Sequence, residues 1–276
     1  MNSFFLRHEF LIRRLHSLSG LIPIGAYMTV HLAVNSSLML GTERFQSLVY
    51  SIHNFGAILP LIEWTFIFIP IIFHAVVGVW IANTGRTNSQ MYGYGANIRY
   101  TWQRYTGYIA LVFIFMHVFH LHGWFHADWW LRNVAEPLGM AQFRPYNAAS
   151  TLATAMKGIV WPIFYSIGVL SCCYHLANGI WTAGITWGLW VSAAGQARAL
   201  KGCAAFGLLL AALGTASLFA AKTTNPQQAQ ATEERMYEKG VEAGTVPDDP
   251  HKLSHPQTPE HASQETSATA IADALP

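Results

Sequence analysis

The sequence predicts an all-α integral membrane protein that crosses the bilayer in five transmembrane helices, four of them forming a bundle around paired histidines. Of its 276 residues, 52% are hydrophobic and only 11% carry acidic or basic side chains. The sparse charges crowd into short stretches between long apolar runs, a membrane pattern. A hydrocarbon core about 30 Å thick takes roughly 20 helical residues to cross, so this length holds about five crossings with modest loops. Lipid offers the backbone no hydrogen-bond partner, which makes every crossing a helix.

The net charge of +2 is small and dispersed. No basic stripe interleaved with aromatics is present to track a phosphate backbone, so nucleic acid is excluded as a partner. Cys172, Cys173 and Cys203 all lie in apolar segments and indicate neither a disulfide framework nor a cysteine metal site. Cys-x-x-Cys-His is absent, so any haem is held noncovalently.

The expected spans are 17–40, 56–82, 103–125, 159–183 and 203–221. Arg7, Arg13 and Arg14 precede the first apolar run as they would in a signal peptide. That run is too long and lacks a small-residue cleavage site, so it reads as a retained span. The Trp- and Gly-rich stretch 184–200 is expected to follow the membrane interface. The loop 126–156, with Trp129 and Trp130, is expected to lay an amphipathic segment on the outer surface. Residues 1–221 thus form the membrane domain. Residues 222–276 turn to Gln, Glu, Thr, Pro and Ala, a polar tail expected to be disordered and outside.

Basic residues set the orientation. An inward amino end places Arg7, Arg13, Arg14, Arg86, Arg99, Arg104, Arg198 and Lys201 on the cytoplasmic side, against Arg44, Arg132, Arg144, Lys157 and Lys222 opposite. This asymmetry has the positive-inside sense.

Four histidines fall deep inside the expected spans: His31, His74, His117 and His175. Counted from their span starts, His31 and His117 lie level, about 21 Å from the cytoplasmic edge. His74 and His175 lie roughly 6 Å from that edge, which makes two pairs about 15 Å apart in height. Two imidazoles from flanking helices are the ligand set of a bis-histidine haem, and the apolar bundle supplies dry walls. For any one histidine the alternatives are an isolated hydrogen bond, a proton relay or a bare metal. Gly25, Gly78, Gly107 and Gly168 would let a porphyrin near the backbone, although glycine is common in membrane helices. His120 lies about 4 Å further out than His31, so His117 is the better partner. His122 and His126 are one turn apart but lack a carboxylate or thiolate to complete a metal site. His8, His16 and His53 read as interfacial or solvent-facing, and His251, His255 and His261 belong to the tail.

Around these histidines the sequence resembles the five-helix, di-haem cytochrome b subunits of succinate dehydrogenases and fumarate reductases. The stretches are RRLHSLSGLIPIG and HLAVNSS at His31, PIIFHAVVGVWIA at His74, QRYTG leading to MHVFH at His117, and YHLANGIWTAGITWG at His175. The long tail and the enlarged third-to-fourth loop depart from the pattern. The resemblance implies two haem b groups, His74 and His175 binding the one nearer the cytoplasm and His31 with His117 the distal one. It further implies a cytoplasmic flavoprotein subunit with FAD and the dicarboxylate site, an iron-sulfur subunit, menaquinone as substrate, a bacterial cytoplasmic membrane, and a higher oligomer of the complex.

Haem propionates call for donors at the membrane edge, and Ser17, Trp102 and Arg104 are the candidates near the cytoplasmic haem. The alternative for Arg104 is membrane anchoring. Glu63 lies at least one turn inside the second span, where a carboxylate is costly without a partner or task. Its expected role is proton exchange with quinone near the distal haem, the alternative being an interfacial hydrogen bond. Two other functions compete: a di-haem anchor of a hydrogenase or formate dehydrogenase, and a haem-free proton channel or transporter.

Overall fold

The computed structural model describes residues 3–85, 89–125 and 127–254 and is built from helices and their connections. Among the described residues, five helices are long and apolar enough to cross a membrane: α1 (Arg7–Leu40), α3 (Gly56–Thr84), α4 (Gly95–His122), α6 (Val160–Thr186) and α7 (Ala193–Thr223). Between and after them lie shorter helices, among them α2 (Thr42–His53), α5 (Ala148–Ala155) and α8 (Pro226–Glu242). Each of the five overlaps an expected span and is longer than it. α7 starts ten residues early, because the interfacial stretch expected over 184–200 is a tight turn followed by helix, capped by the Ser192 hydroxyl on the Gly195 N–H.

The spans close into a ring, α1 against α3 and α7, α6 against α7 and α4, and α4 against α3. Successive spans are antiparallel, so α1 and α4 leave the amino-terminal face while α3 and α6 return to it. The four histidine-bearing helices form the bundle. α7 packs outside it, through Cys203, Leu210, Gly214, Ser217 and Ala221, whose near-heptad spacing keeps one narrow stripe inward. Without a hydrophobic force between helices in lipid, close approach through small residues holds such a seam.

Three spans are not regular. π-helical turns occur over Gly20–Gly25, which contains Pro23, over Trp64–Phe68, and over Val118–His122. Each lies next to a histidine or acid singled out above. Proline lacks the N–H that would continue an α-helical ladder, and wide turns of this kind concentrate at functional positions.

The opposite face is covered by a cap of α2, α5 and α8, which pack on one another. The tail expected to be disordered over 222–276 is therefore structured through Ser254; residues 255–276, with His255 and His261, lie outside the described residues, as do Arg86 and His126. The cap is held by an apolar cluster that includes Phe45, Val49, Leu152, Met156 and Ala229, and by buried polar groups. Gln46 donates to the Pro145 carbonyl at 2.8 Å and accepts from the Ala148 N–H at 3.0 Å. Glu233, fully buried, accepts from the Ala149 N–H at 2.6 Å and the Ser150 hydroxyl at 2.5 Å, so a carboxyl closes the start of α5. Burial pushes the Glu233 carboxyl up from the ordinary range against these donors. The expectation of an amphipathic segment in 126–156 is met by α5, which is buried under α8 rather than laid on a surface.

Glu233→Ala should leave three donors at the start of α5 unpaired, the N–H groups of Ala149 and Ser150 and the Ser150 hydroxyl, and weaken α8 docking by about 2–3 kcal/mol, whereas Glu233→Gln, which keeps an acceptor, should not. Tryptic cleavage after Arg235 and Lys239, which requires α8 to open, measures this; equal protection of both variants would show that α8 is anchored elsewhere.

Candidate functional site

The histidines gather into two groups at different heights in the bundle. In the group nearer the amino-terminal face, His74 of α3 and His175 of α6 have ring centroids 6.1 Å apart at 87°. His16 of α1 lies flat on His74, centroids 4.0 Å apart at 16°. The sequence reading of His16 as interfacial is thus corrected. It stands fifteen residues, close to four turns, before His31 and shares its inward face, a spacing that could have revealed it.

Both rings of this first pair are tethered through Nδ1. His74 Nδ1 lies 3.0 Å from the His16 carbonyl, and His175 Nδ1 lies 3.1 Å from the Gln103 carbonyl. A carbonyl can only accept, so each Nδ1 carries the proton and each Nε2 keeps a free lone pair. The Gln103 side-chain amide agrees, lying 3.4 Å from His175 Nε2 as a donor while its oxygen accepts from Asn178 at 2.7 Å. Gln103 was not singled out in the sequence. Its signal is the spacing of fourteen residues from His117, again nearly four turns of one helix.

Glycines give the rings space. A methyl group on Gly20 would overlap the His74 ring, and one on Gly107 would stand 3.0 Å from Cε1 of His175. Gly78 faces His16 in the same way, at 3.1 Å.

In the second group, His31 of α1 and His117 of α4 have centroids 5.9 Å apart at 82°. Here the tethers are hydroxyls: Tyr27 lies 3.5 Å from His31 Nδ1, and Tyr165 lies 3.3 Å from His117 Nδ1. Phe113 covers the other side of His117, with 5.6 Å between centroids. His120 is turned away from the pair onto Trp161, at 3.7 Å and nearly parallel. That disposition favours His117 over His120 as the partner of His31.

The remaining candidates are dispersed. Glu63 is half-buried and directly precedes the α3 π-turn (Trp64–Phe68), which packs against the Gly20–Gly25 turn of α1. Arg104 covers the Tyr100 ring at 3.7 Å and reaches the Ala82 carbonyl at 3.4 Å, bridging the ends of α3 and α4. Trp102 points outward against Tyr105. Ser17 is half-buried beside His16, but it is Ser19 that reaches the imidazoles, donating to the His16 carbonyl at 2.9 Å.

Two neutral imidazoles can hold one transition-metal ion between them. With metal–nitrogen bonds of about 2 Å, rings flanking one ion have centroids roughly 6 Å apart, close to both separations here.

No family model matches the sequence. The chain is 37% identical over 191 residues to the succinate dehydrogenase cytochrome b558 subunit of Bacillus subtilis (strain 168), an overlap of 68% of this chain and 85% of that protein. Five apolar spans, paired intramembrane histidines and this similarity agree, and the chain belongs to the family of succinate dehydrogenase cytochrome b subunits.

Proposed function

We propose that this chain anchors a succinate:quinone oxidoreductase in the bacterial cytoplasmic membrane and relays electrons between its iron-sulfur subunit and menaquinone through two noncovalent haem b groups. The observation that carries this is the pair of imidazole couples, 6.1 Å and 5.9 Å across, at two heights in one dry bundle. The tethered Nδ1 atoms of His74 and His175 support this reading, since they leave Nε2 as the lone-pair nitrogen that would hold the iron. Gly20 and Gly107 fit it too, keeping the backbone clear of the rings.

His74 and His175 would hold the proximal haem and His31 and His117 the distal one. When bound, the haems would supply one-electron carriers at both depths. Ser17, Trp102 and Arg104 would serve the propionates of the proximal haem. Arg13, Arg14, Arg99 and Arg104 all cluster at the amino-terminal face, three of them over Trp80, Trp187 and Trp181. This ring of guanidiniums supports a cytoplasmic amino end and a docking face for the iron-sulfur subunit, with the FAD-bearing subunit and the dicarboxylate site beyond it. The cap then lies outside.

Quinone chemistry moves protons as well as electrons, and a haem has no obligatory proton to offer. Glu63, at the α3 π-turn that packs on the Gly20–Gly25 turn of α1, exchanges those protons.

In membranes holding the complex, dithionite-reduced minus oxidised spectra should give two haem b per chain, reduced also by succinate. His74→Ala or His175→Ala should remove one haem, and His31→Ala or His117→Ala the other; loss of the same haem from all four would reject the pairing. A spectrum without haem in the parent protein would reject the whole reading in favour of a histidine-containing channel or transporter.

Glu63→Gln should retain both haems and succinate reduction of the proximal one, while quinone-linked turnover falls about 100-fold or more, the scale of a lost general acid–base group. Full turnover in this variant would remove Glu63 from the proton path.

A further inference from the structure

Tyr165 stands between two histidines of one helix. Its hydroxyl is 3.3 Å from Nδ1 of His117 and 3.0 Å from Nδ1 of His120. All of this is dry: Tyr165 is 4% exposed and His120 1%. His120 is held by Trp161 stacked on its face, and Phe113 meets both His117 and Tyr165. None of these contacts is required by packing alone, because a phenylalanine at 165 would fill nearly the same space.

One hydroxyl has one proton to give. The phenol oxygen accepts from a protonated Nδ1, and its own proton goes to an Nδ1 that carries none, which satisfies all three groups in this dry site. A metal-binding imidazole keeps its lone pair on Nε2 and its proton on Nδ1. The direction of the chain is then fixed: His117 donates to Tyr165, and Tyr165 donates to His120, which is the neutral Nε2–H tautomer.

We infer that Tyr165 and His120 are positioning residues for His117 that hold its tautomer and raise its basicity, and so set the distal haem apart from the proximal one in electron affinity. This rests on the bis-histidine reading of His31 and His117. The proximal imidazoles donate to backbone carbonyls, which are passive acceptors. A phenol that is itself donating onward is a stronger acceptor, because hydrogen bonds in a chain polarise one another. His117 thereby gains imidazolate character and stabilises the oxidised iron.

The test is a redox titration of the complex in its membrane, the two haems resolved by their electron paramagnetic resonance signals. At a fixed ambient potential, Tyr165→Phe should raise the reduced-to-oxidised ratio of the distal haem about fivefold, the equivalent of one ordinary hydrogen bond, and leave the proximal ratio unchanged. His120→Phe, which keeps the phenol but removes its acceptor, should shift the ratio in the same direction by less. His120→Gln, whose amide oxygen accepts the phenol proton, should restore it. If Tyr165→Phe releases the distal haem, the two His120 variants decide by the same titration. Unchanged ratios in haem-replete variants would overturn the inference while leaving the ligand assignment intact; a distal signal that survives removal of His117 would instead overturn the ligand assignment.

Discussion

Within a bilayer an imidazole has no water to bond, so whatever the protein gives one ring nitrogen decides what the other can do. Three of the four paired rings have an Nδ1 partner within 3.3 Å, and the fourth, His31, has Tyr27 at 3.5 Å. The architecture follows from this need. His16 must lie on α1 directly against α3 so that its carbonyl meets His74, and Gln103 must face α6 so that its carbonyl meets His175. Glycine at positions 20 and 107 is the steric condition for both approaches. The bundle is thus organised around orienting rings, with apolar packing filling the remainder.

The two groups differ in the chemistry of their tethers. At the amino-terminal height the acceptors are main-chain oxygens, fixed in place and unable to change role. At the other height they are phenols, which donate and accept. The second height has a third histidine, His120, beyond the phenol, and the phenol can both take and give a proton. At the first height the third histidine, His16, is stacked on His74 and meets its Nδ1 only through a carbonyl, which can accept but not give.

Much of this was legible beforehand. Span number, histidine pairing and relative depth follow from apolar run length and a rise of 1.5 Å per residue, both of which are local properties. His16 and Gln103 escaped because each lies near a span boundary, where depth counting fails, although their four-turn spacing from His31 and His117 was available. The cap escaped for another reason. α8 turns Ala229, Glu233, Met236, Tyr237 and Gly240 inward, and the acid and the glycine break what apolar period Ala229, Met236 and Tyr237 make. The one visible sign was Asn225 before Pro226, an N-cap followed by a first-turn proline, and the Asn225 side chain does accept from the N–H groups of Gln227 and Gln228.

The two layers of the molecule obey different solvents. Glu233, Gln46 and Asn147 bind the cap to itself through main-chain partners, so urea, which solvates peptide groups, attacks that layer first. The spans are joined by close packing in lipid and yield instead to detergents that enter the seams between them. The joint between the layers is apolar, since Phe45, Leu152 and Ala229 of the cap share one cluster with Phe113 and Tyr165 of the spans, so stripping the cap loosens the packing around His117 while leaving the His74 and His175 group, at the far end of the bundle, in place.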